Sequence, residues 1–270
     1  MSKKDLPNNP DADPWERLRH FTPARIGLGH SGVSLRTSHQ LQFQLAHAAA
    51  RTAVHSSLDV EALTQAVRAQ YQPPLAQSPL VVESCAQTRE VYLKRPDFGR
   101  RLCEASAALV DAARTEEAPD VAIILADGLS ATAVQTSAPQ FLARLLPALA
   151  AAGYRQSIPI VALQGRVAIG DDIGERLGAR LTLMLIGERP GLSSADSLSM
   201  YLTHTPKRGL TDASRNCISN IRDGGLSFAE AAHRTMYLVE QAFAAGQSGV
   251  ALKDMSSGTL LTAEEDASSS

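Results

Sequence analysis

The sequence predicts an α/β fold in which helices cover both faces of a parallel sheet. Short apolar runs bounded by polar residues alternate with longer segments of helical pattern, as in repeated strand–helix units. Hydrophobic residues make up 44% of the 270 residues, but aromatic residues make up only 4%. We therefore expect a core of Ala, Val, Leu and Ile, which is typical of strands buried on both faces.

The alternation of strands and helices begins near residue 116. The predicted strands are the apolar runs at 121–126, 158–163, 180–186 and 199–202.

Helices are predicted between and after these strands. A first helix should be interrupted at Pro139, and a short helix should span Gly170–Gly178. Ser227 and Glu230 have the spacing of a capping box, in which each side chain satisfies a backbone donor of the other residue. A long helix should therefore begin there and end near Gly246.

The region 21–115 is predicted to be mainly helical. Its expected elements are a helix capped by Thr37 or Ser38 and ending near His55, a helix over Asp59–Gln70, a short strand at Val91–Leu93, and a helix opening at Arg95–Arg101. Residues 1–20 are expected to be a flexible segment with one short helix from Trp15. Residues 255–270 are rich in Ser and Glu and are expected to be a disordered tail.

Composition excludes several classes of function. The net charge of -2, with both signs mixed along the chain, gives no electrostatic footprint for nucleic acid or an acidic membrane. No segment has the length and apolarity of a membrane helix or a secretory signal. The three cysteines are widely spaced, which predicts neither a disulfide framework nor a zinc site and favours a reducing compartment.

One glycine-rich motif suggests a nucleotide cofactor. Gly27, Gly29 and Gly32 satisfy the pattern G-x-G-x-x-G, so an NAD-type dinucleotide-binding oxidoreductase is an alternative reading. That motif should follow a strand and open a helix, and no convincing strand precedes Gly27. A flexible or subunit-contacting loop is the favoured interpretation.

Polar residues follow the predicted core strands, where ligands bind in open α/β sheets. Asp127 follows the first strand, as a helix cap or as part of a ligand-contacting loop. Asp171, Asp172 and Glu175 begin a short helix and are ordinary partners of its dipole, although a metal site is possible.

Two further residues at this edge have competing interpretations. Glu188 follows a buried strand, so its carboxylate should either pair with Arg189 or accept hydrogen bonds from a ligand. Cys217 is either a small buried hydrophobic residue or, because its neighbours are polar, part of a loop that offers many donors and acceptors to a large amide-bearing ligand.

Seven segments together resemble one enzyme family. They are, in order, Thr22–Ile26, Arg95–Leu102, Ala126–Ser130, Gly165–Val167, Ile173–Glu175, Gly187–Leu192 and Cys217–Ile221. None of them is diagnostic alone, but their combination resembles the small subunit (light chain) of ethanolamine ammonia-lyase. The resemblance implies a Rossmann-like parallel sheet over residues 116–254 that forms a cobalamin-binding core.

The resemblance also implies an activity. The family's enzyme converts ethanolamine to acetaldehyde and ammonia by a radical mechanism that uses adenosylcobalamin (coenzyme B12). The large subunit holds the substrate, while the small subunit covers the cobalamin. Carried over by motif, the cofactor-binding residues of this chain are Val167, Glu188 and Cys217. No catalytic residue and no metal ligand is assigned to this chain.

Other consequences of the resemblance concern assembly and ligation. A hetero-oligomer with the large subunit is expected, in the cytoplasm or in a bacterial microcompartment. Enzymes that displace the benzimidazole of B12 carry D-x-H-x-x-G, which this sequence lacks. The cofactor's own base should therefore remain the lower ligand of cobalt. A scaffold or shell-cargo protein without catalysis is a third hypothesis.

Overall fold

A computed structural model describes residues 15–19, 21–22, 24–31, 33–71 and 78–256. Most of the predicted flexible N-terminal segment and nearly all of the predicted tail lie outside these residues. Within them, none of the helices combines the length and apolarity that crossing a bilayer requires.

The described part of the chain contains eight α-helices and eight strands. The helices are α1 (Glu16–Arg19), α2 (Thr37–His55), α3 (Val60–Arg68), α4 (Arg89–Lys94), α5 (Glu104–Ala112), α6 (Ala131–Ala151), α7 (Ile169–Leu177) and α8 (Phe228–Ala245). The strands are β1 (His30–Ser31), β2 (Ser34–Leu35), β3 (Leu80–Glu83), β4 (Val121–Ala126), β5 (Ile160–Leu163), β6 (Leu181–Gly187), β7 (Leu198–His204) and β8 (Asn216–Ile221).

Six strands form one sheet in the order β3-β5-β4-β6-β7-β8. The first four are mutually parallel, but β7 runs antiparallel to both β6 and β8. The expected α/β class, with helices flanking a mostly parallel sheet, is thus confirmed, and the antiparallel pairing of β7 makes the sheet mixed. β7 reverses because only a short segment joins it to β6, with no crossover helix, and parallel neighbours need such a crossover. The order of the sheet strands also differs from the Rossmann order 3-2-1-4-5-6.

Helices cover both faces of this sheet. Apolar side chains of α3, α6 and α8 pack on one face against alternate residues of the strands, such as Leu183 and Leu185. On the other face α5 and α7 pack against the intervening residues, such as Ile124 and Met184. β4 is buried along its whole length, as expected for a central strand.

The predicted strand at Val91–Leu93 is wrong, because these residues lie in α4. Thr88 caps that helix by accepting a hydrogen bond from the Val91 N–H. The strand of this region is instead β3, which pairs with β5 and so brings part of the 21–115 region into the sheet. Arg95–Arg101 contains only a short 3₁₀ helix at Phe98–Arg100.

Two predictions about helix boundaries are also wrong. α6 continues through Pro139, since its buried face, including Ala138 and Phe141, offsets the backbone hydrogen bond that proline removes. Arg36, and no hydroxyl side chain, occupies the N-cap of α2. By contrast, Ser227 caps α8 by accepting a hydrogen bond from the Glu230 N–H as predicted, and Gly246 is the C-cap. The Glu230 carboxylate pairs with Arg234, so the second half of the predicted capping box is absent from this part of the described chain.

The Gly27–Gly32 loop lacks the setting of a dinucleotide site. It contains β1, which pairs only with the two-residue antiparallel strand β2 and is separate from the main sheet, and Gly32 lies outside the described residues. Gly27 has φ +58 and sits so close to Trp15 that a Cβ would overlap the indole. The loop therefore packs against α1 instead of opening a phosphate-binding helix.

Candidate functional site

A cavity of about 450 Å³ opens where β4, β5 and β6 end. Two connections diverge here: α6 leaves β4 on one face of the sheet, while α7 leaves β5 on the other. This divergence is the point at which open α/β sheets bind ligands. The residues that line the cavity are Tyr92, Leu129, Arg166, Val167, Ile186, Gly187, Glu188, Arg189, Ser199, Tyr201, Cys217 and Ser219.

The side of the cavity nearest the β8 edge of the sheet is formed by residues of β7 and β8. Tyr201 on β7 pairs in register with Cys217 on β8. Their neighbours Met200 and Ile218 alternate to the opposite face and are buried in the core. The face that carries Tyr201 and Cys217 is thus open to the cavity, because α7 covers only the part of it nearer the sheet centre.

Glu188 is held by three donors from neighbouring strands. Its carboxylate accepts hydrogen bonds from the hydroxyls of Ser197 and Ser199 and, at 2.9 Å, from the backbone N–H of Asn220. Among the described residues no ion pair joins Glu188 to Arg189, so the pairing alternative is wrong. Each carboxylate oxygen has more than one lone pair, which leaves capacity for a ligand N–H.

Cys217 lies in strand β8, so the prediction of a loop is wrong. Partial burial of its sulfur raises the pKa of the thiol above its ordinary value, and the Glu188 carboxylate raises it further. Hydrogen bonds with Tyr201 and Ser199 oppose these effects. The pKa of Tyr201 is likewise raised, first by burial and then by Cys217. Both groups are therefore neutral near pH 7.

Asp127 joins the loops that surround the cavity. Its buried carboxylate accepts a 3.2 Å hydrogen bond from the Gly165 N–H and lies 3.7 Å from the Arg89 guanidinium. Burial raises the pKa of Asp127 to about 6, and Arg89 opposes that rise. Ser130, not Asp127, caps α6. Asp127 therefore connects the loops after β4 and β5 through Gly165 and does not contact a ligand.

Sequence reasoning missed Tyr92, which supports the cavity wall from beneath. Its ring is fully buried, and its hydroxyl donates a 3.2 Å hydrogen bond to the carbonyl of Gly165. The guanidinium groups of Arg89 and Arg166 lie 4.7 Å and 4.2 Å from its ring centroid. Arg166 also donates to the Tyr92 carbonyl at 3.1 Å, which fixes the neighbouring Val167. A tyrosine beside a Gly-Arg-Val loop carries no sequence signal of this role.

Two glycines allow the loops after β4 and β6 to touch. Gly128 has φ +55, and a Cβ on it would lie 2.3 Å from the carbonyl oxygen of Gly187. A Cβ on Gly187 would lie 2.1 Å from the carbonyl oxygen of Ser130. The close approach lets the Leu129 N–H donate a 3.0 Å hydrogen bond to Gly187. The position of Glu188 is thus fixed by backbone packing.

The structure brings all three residues named from the sequence, Val167, Glu188 and Cys217, to this one cavity. The acidic residues of α7 serve elsewhere. Asp171 pairs with buried Arg215, and Asp172 accepts from the Leu102 N–H and from Arg176. Within the described residues, no cluster of three acidic, histidine or cysteine side chains has metal-binding geometry.

Comparisons with known proteins agree with the resemblance. The family model described as ethanolamine ammonia-lyase light chain (EutC) matches residues 12–253. The chain is 52% identical over 244 residues to the ethanolamine ammonia-lyase small subunit of Pseudomonas putida W619, covering 90% of this chain and 88% of that protein.

Similar proteins in other bacteria carry the same name. The small subunit of Ralstonia nicotianae GMI1000 is 47% identical over 263 residues, covering 97% of this chain and 96% of its own. The small subunit of Pseudomonas aeruginosa PAO1 is 50% identical over 256 residues, covering 94% and 92%. This chain therefore belongs to the family of ethanolamine ammonia-lyase small subunits, each part of a two-subunit lyase.

Proposed function

We propose that this chain binds the adenosylcobalamin of ethanolamine ammonia-lyase in the cavity formed by Val167, Glu188 and Cys217, while the large subunit holds ethanolamine. The observation that carries the proposal is the convergence of these three residues, from separate segments, on one cavity. Adenosylcobalamin supplies the radical that converts ethanolamine to acetaldehyde and ammonia. This chain's part is to bind and orient the cofactor.

The donor and acceptor set of the cavity suits a corrin ring with amide arms. Glu188 offers carboxylate lone pairs to amide N–H groups, and Ser219 offers a hydroxyl. Leu129, Val167 and Ile186 supply apolar surface for the ring. The Nε atom of Arg166, beside Val167, is buried without a hydrogen-bond partner among the described residues. The volume of about 450 Å³ suits part of the cofactor, so the large subunit would cover the rest.

Cobalamin binding to the two-subunit enzyme tests the proposal. We would co-express the chain with the large subunit and measure the dissociation constant of adenosylcobalamin for wild type and Glu188→Gln. Loss of the charged acceptor should weaken binding about tenfold, because a hydrogen bond to a charged group is stronger than one between neutral groups. Glu240→Gln is the matched control, since Glu240 is an exposed residue of α8. Equal affinities for all three proteins would reject the cavity as the cobalamin site.

The division of labour has its own test. Ammonia release should require this chain, the large subunit, adenosylcobalamin and ethanolamine together. Turnover by this chain alone would contradict its role as a subunit. Turnover by the large subunit alone would favour the third hypothesis, in which this chain is a scaffold protein without a part in catalysis. By resemblance to the family, we place the complex in the cytoplasm or in a bacterial microcompartment. Fractionation of cells grown on ethanolamine distinguishes these two locations.

A further inference from the structure

A second cavity, of about 610 Å³, adjoins the first and shares Arg166 and Val167 with it. It lies between the 3₁₀ segment near Arg101, the beginning of α7 and the loop around Arg208. Five arginines line it but only two carboxylates, those of Asp97 and Asp212. The five arginines are Arg100, Arg101, Arg166, Arg208 and Arg215.

The two carboxylates are already engaged. Asp97 forms two hydrogen bonds with Arg95, at 3.0 and 2.8 Å, and Asp212 pairs with Arg215 at 2.7 Å. Arg215 is almost fully buried and also pairs with Asp171, so its charge is balanced within the fold.

The remaining arginines carry the excess charge. Among the described residues, Arg100, Arg101 and Arg166 have no carboxylate within ion-pair distance, and Arg208 reaches Asp172 only at 3.9 Å. The first turn of α7 does not supply this positive charge, because the carboxylates of Asp171 and Asp172 there neutralise the positive end of the helix dipole. Unbalanced guanidinium groups on a concave surface match the geometry of phosphate recognition, in which their planar donors bind two oxygens at once.

We propose that this cavity binds a phosphate ester through Arg100, Arg101 and Arg208. Its occupant is the phosphodiester of the cobalamin that binds in the adjoining cavity. The identity of the occupant rests on the proposed function. Cobalamin carries one fixed anionic group, on its nucleotide arm, and the two cavities meet at Arg166 and Val167. A free phosphate-bearing molecule has the same chemistry and is distinguished by experiment.

Two truncated cofactors isolate the phosphate. Adenosylcobinamide and adenosylcobinamide phosphate both lack the base and differ in one phosphate group. We expect the two-subunit enzyme to bind the phosphorylated form about tenfold more tightly. In Arg101→Gln and Arg208→Gln this ratio should fall toward one, while the affinity for adenosylcobinamide stays unchanged. Both side chains are exposed, so both variants should fold.

The matched control is Arg144→Gln, an exposed arginine of α6 on the opposite face of the sheet, which should keep the wild-type ratio. An unchanged ratio in both cavity variants would overturn the proposal. So would weaker association with the large subunit, measured by sedimentation, because the arginines would then hold that subunit and not a phosphate.

Titration with inorganic pyrophosphate separates the two proposals. If the wild-type complex binds neither adenosylcobalamin nor either cobinamide, the cofactor site fails, but saturable pyrophosphate binding that Arg101→Gln weakens would still support an anion site with another source of phosphate. Absence of pyrophosphate binding in that case would reject the site as well. Competition of pyrophosphate with adenosylcobinamide phosphate, but not with adenosylcobinamide, identifies the cofactor as the source.

Discussion

The backbone N–H of Asn220 donates a 2.9 Å hydrogen bond to the carboxylate of Glu188, across the intervening strand β7. Asn220 has φ +60, a left-handed conformation that redirects the chain after it. Its carbonyl meanwhile accepts from the Leu226 N–H at 2.8 Å, so the turn after β8 is held from both sides. A residue in the left-handed conformation thus supplies one of the three donors that hold the Glu188 carboxylate.

Asn220→Val should destabilise the protein by about 1–2 kcal/mol, because a β-branched residue is strained in the left-handed region. Asn220→Gly should cost much less, since glycine adopts this conformation readily. The free energies of unfolding from urea denaturation compare the two variants. Ser219→Val on the same strand is the control, and an equal loss in the three variants would contradict a conformational cause.

Asp127 should make stability depend on pH between about 4 and 6. Because its folded-state pKa is raised to about 6, the native state holds the proton more tightly than the unfolded chain. The resulting stabilisation is complete below the unfolded pKa of about 3.9 and is lost as pH rises through 6, by about 3 kcal/mol. Asp127→Asn should abolish this component, so that the variant gains stability relative to wild type as pH rises.

Urea denaturation at pH 4, 5, 6 and 7 measures the difference. Asp223→Asn, at an exposed position, is the control and should leave the pH profile unchanged. A constant difference between wild type and Asp127→Asn across this range would show that Asp127 does not titrate as described.

The pair Arg215–Asp171 should show strong energetic coupling. Both side chains are almost fully buried; burial raises the pKa of Asp171, and Arg215 counteracts that rise. Arg215→Met leaves a buried carboxylate without its partner and should cost about 3–5 kcal/mol. Adding Asp171→Leu should recover a large part of this loss. A double-mutant cycle in urea gives the coupling, and strictly additive losses would contradict it.

Cys217 should react slowly with iodoacetamide at pH 7, although the residue is exposed. Its raised pKa keeps the thiol protonated, and the thiolate is the reactive form. Mass spectrometry of the Cys217 peptide gives the rate against pH, with free cysteine as reference. In the two-subunit enzyme adenosylcobalamin should slow the reaction further, and Cys103 provides an internal comparison. A Cys217 rate equal to that of free cysteine would refute the raised pKa.

Cobalt should keep the cofactor's own base as its lower ligand. None of the described residues that line the cavity is a histidine. Electron paramagnetic resonance of the cob(II)alamin form should show nitrogen coupling that is unchanged when the protein is labelled with ¹⁵N. A change of the splitting pattern on labelling would reveal a protein histidine on cobalt.

The central strands and the approximate site were predictable from the sequence, because apolar runs such as Val121–Ala126 and the charge at Glu188 leave clear patterns. β8 was not predictable. Its buried residues Ile218 and Ile221 are three apart, since a register shift interrupts the pairing with β7 and breaks the two-residue alternation. Cys217 resembled a loop residue because Asn216, Ser219 and Asn220 beside it are polar.

The partners of Glu188 were also beyond sequence reasoning. Ser197 and Ser199 reach it only because β7 reverses direction, and direction depends on how the connecting segment folds over the sheet edge. β3 escaped prediction because its apolar run, Leu80–Val82, ends after three residues. Pairing with β5, which is a tertiary effect, decides its conformation.

The membership of β3 in the sheet limits how the chain can be shortened. β3 shields β5, and its own outer edge is closed by backbone bonds to residues 101–103 and by the hydroxyl of Ser106. In a protein shortened to the region after residue 116, Ile160–Leu163 would be an exposed, apolar edge strand. Such strands pair with strands of other molecules and cause aggregation. The segment before the main core therefore protects it from self-association.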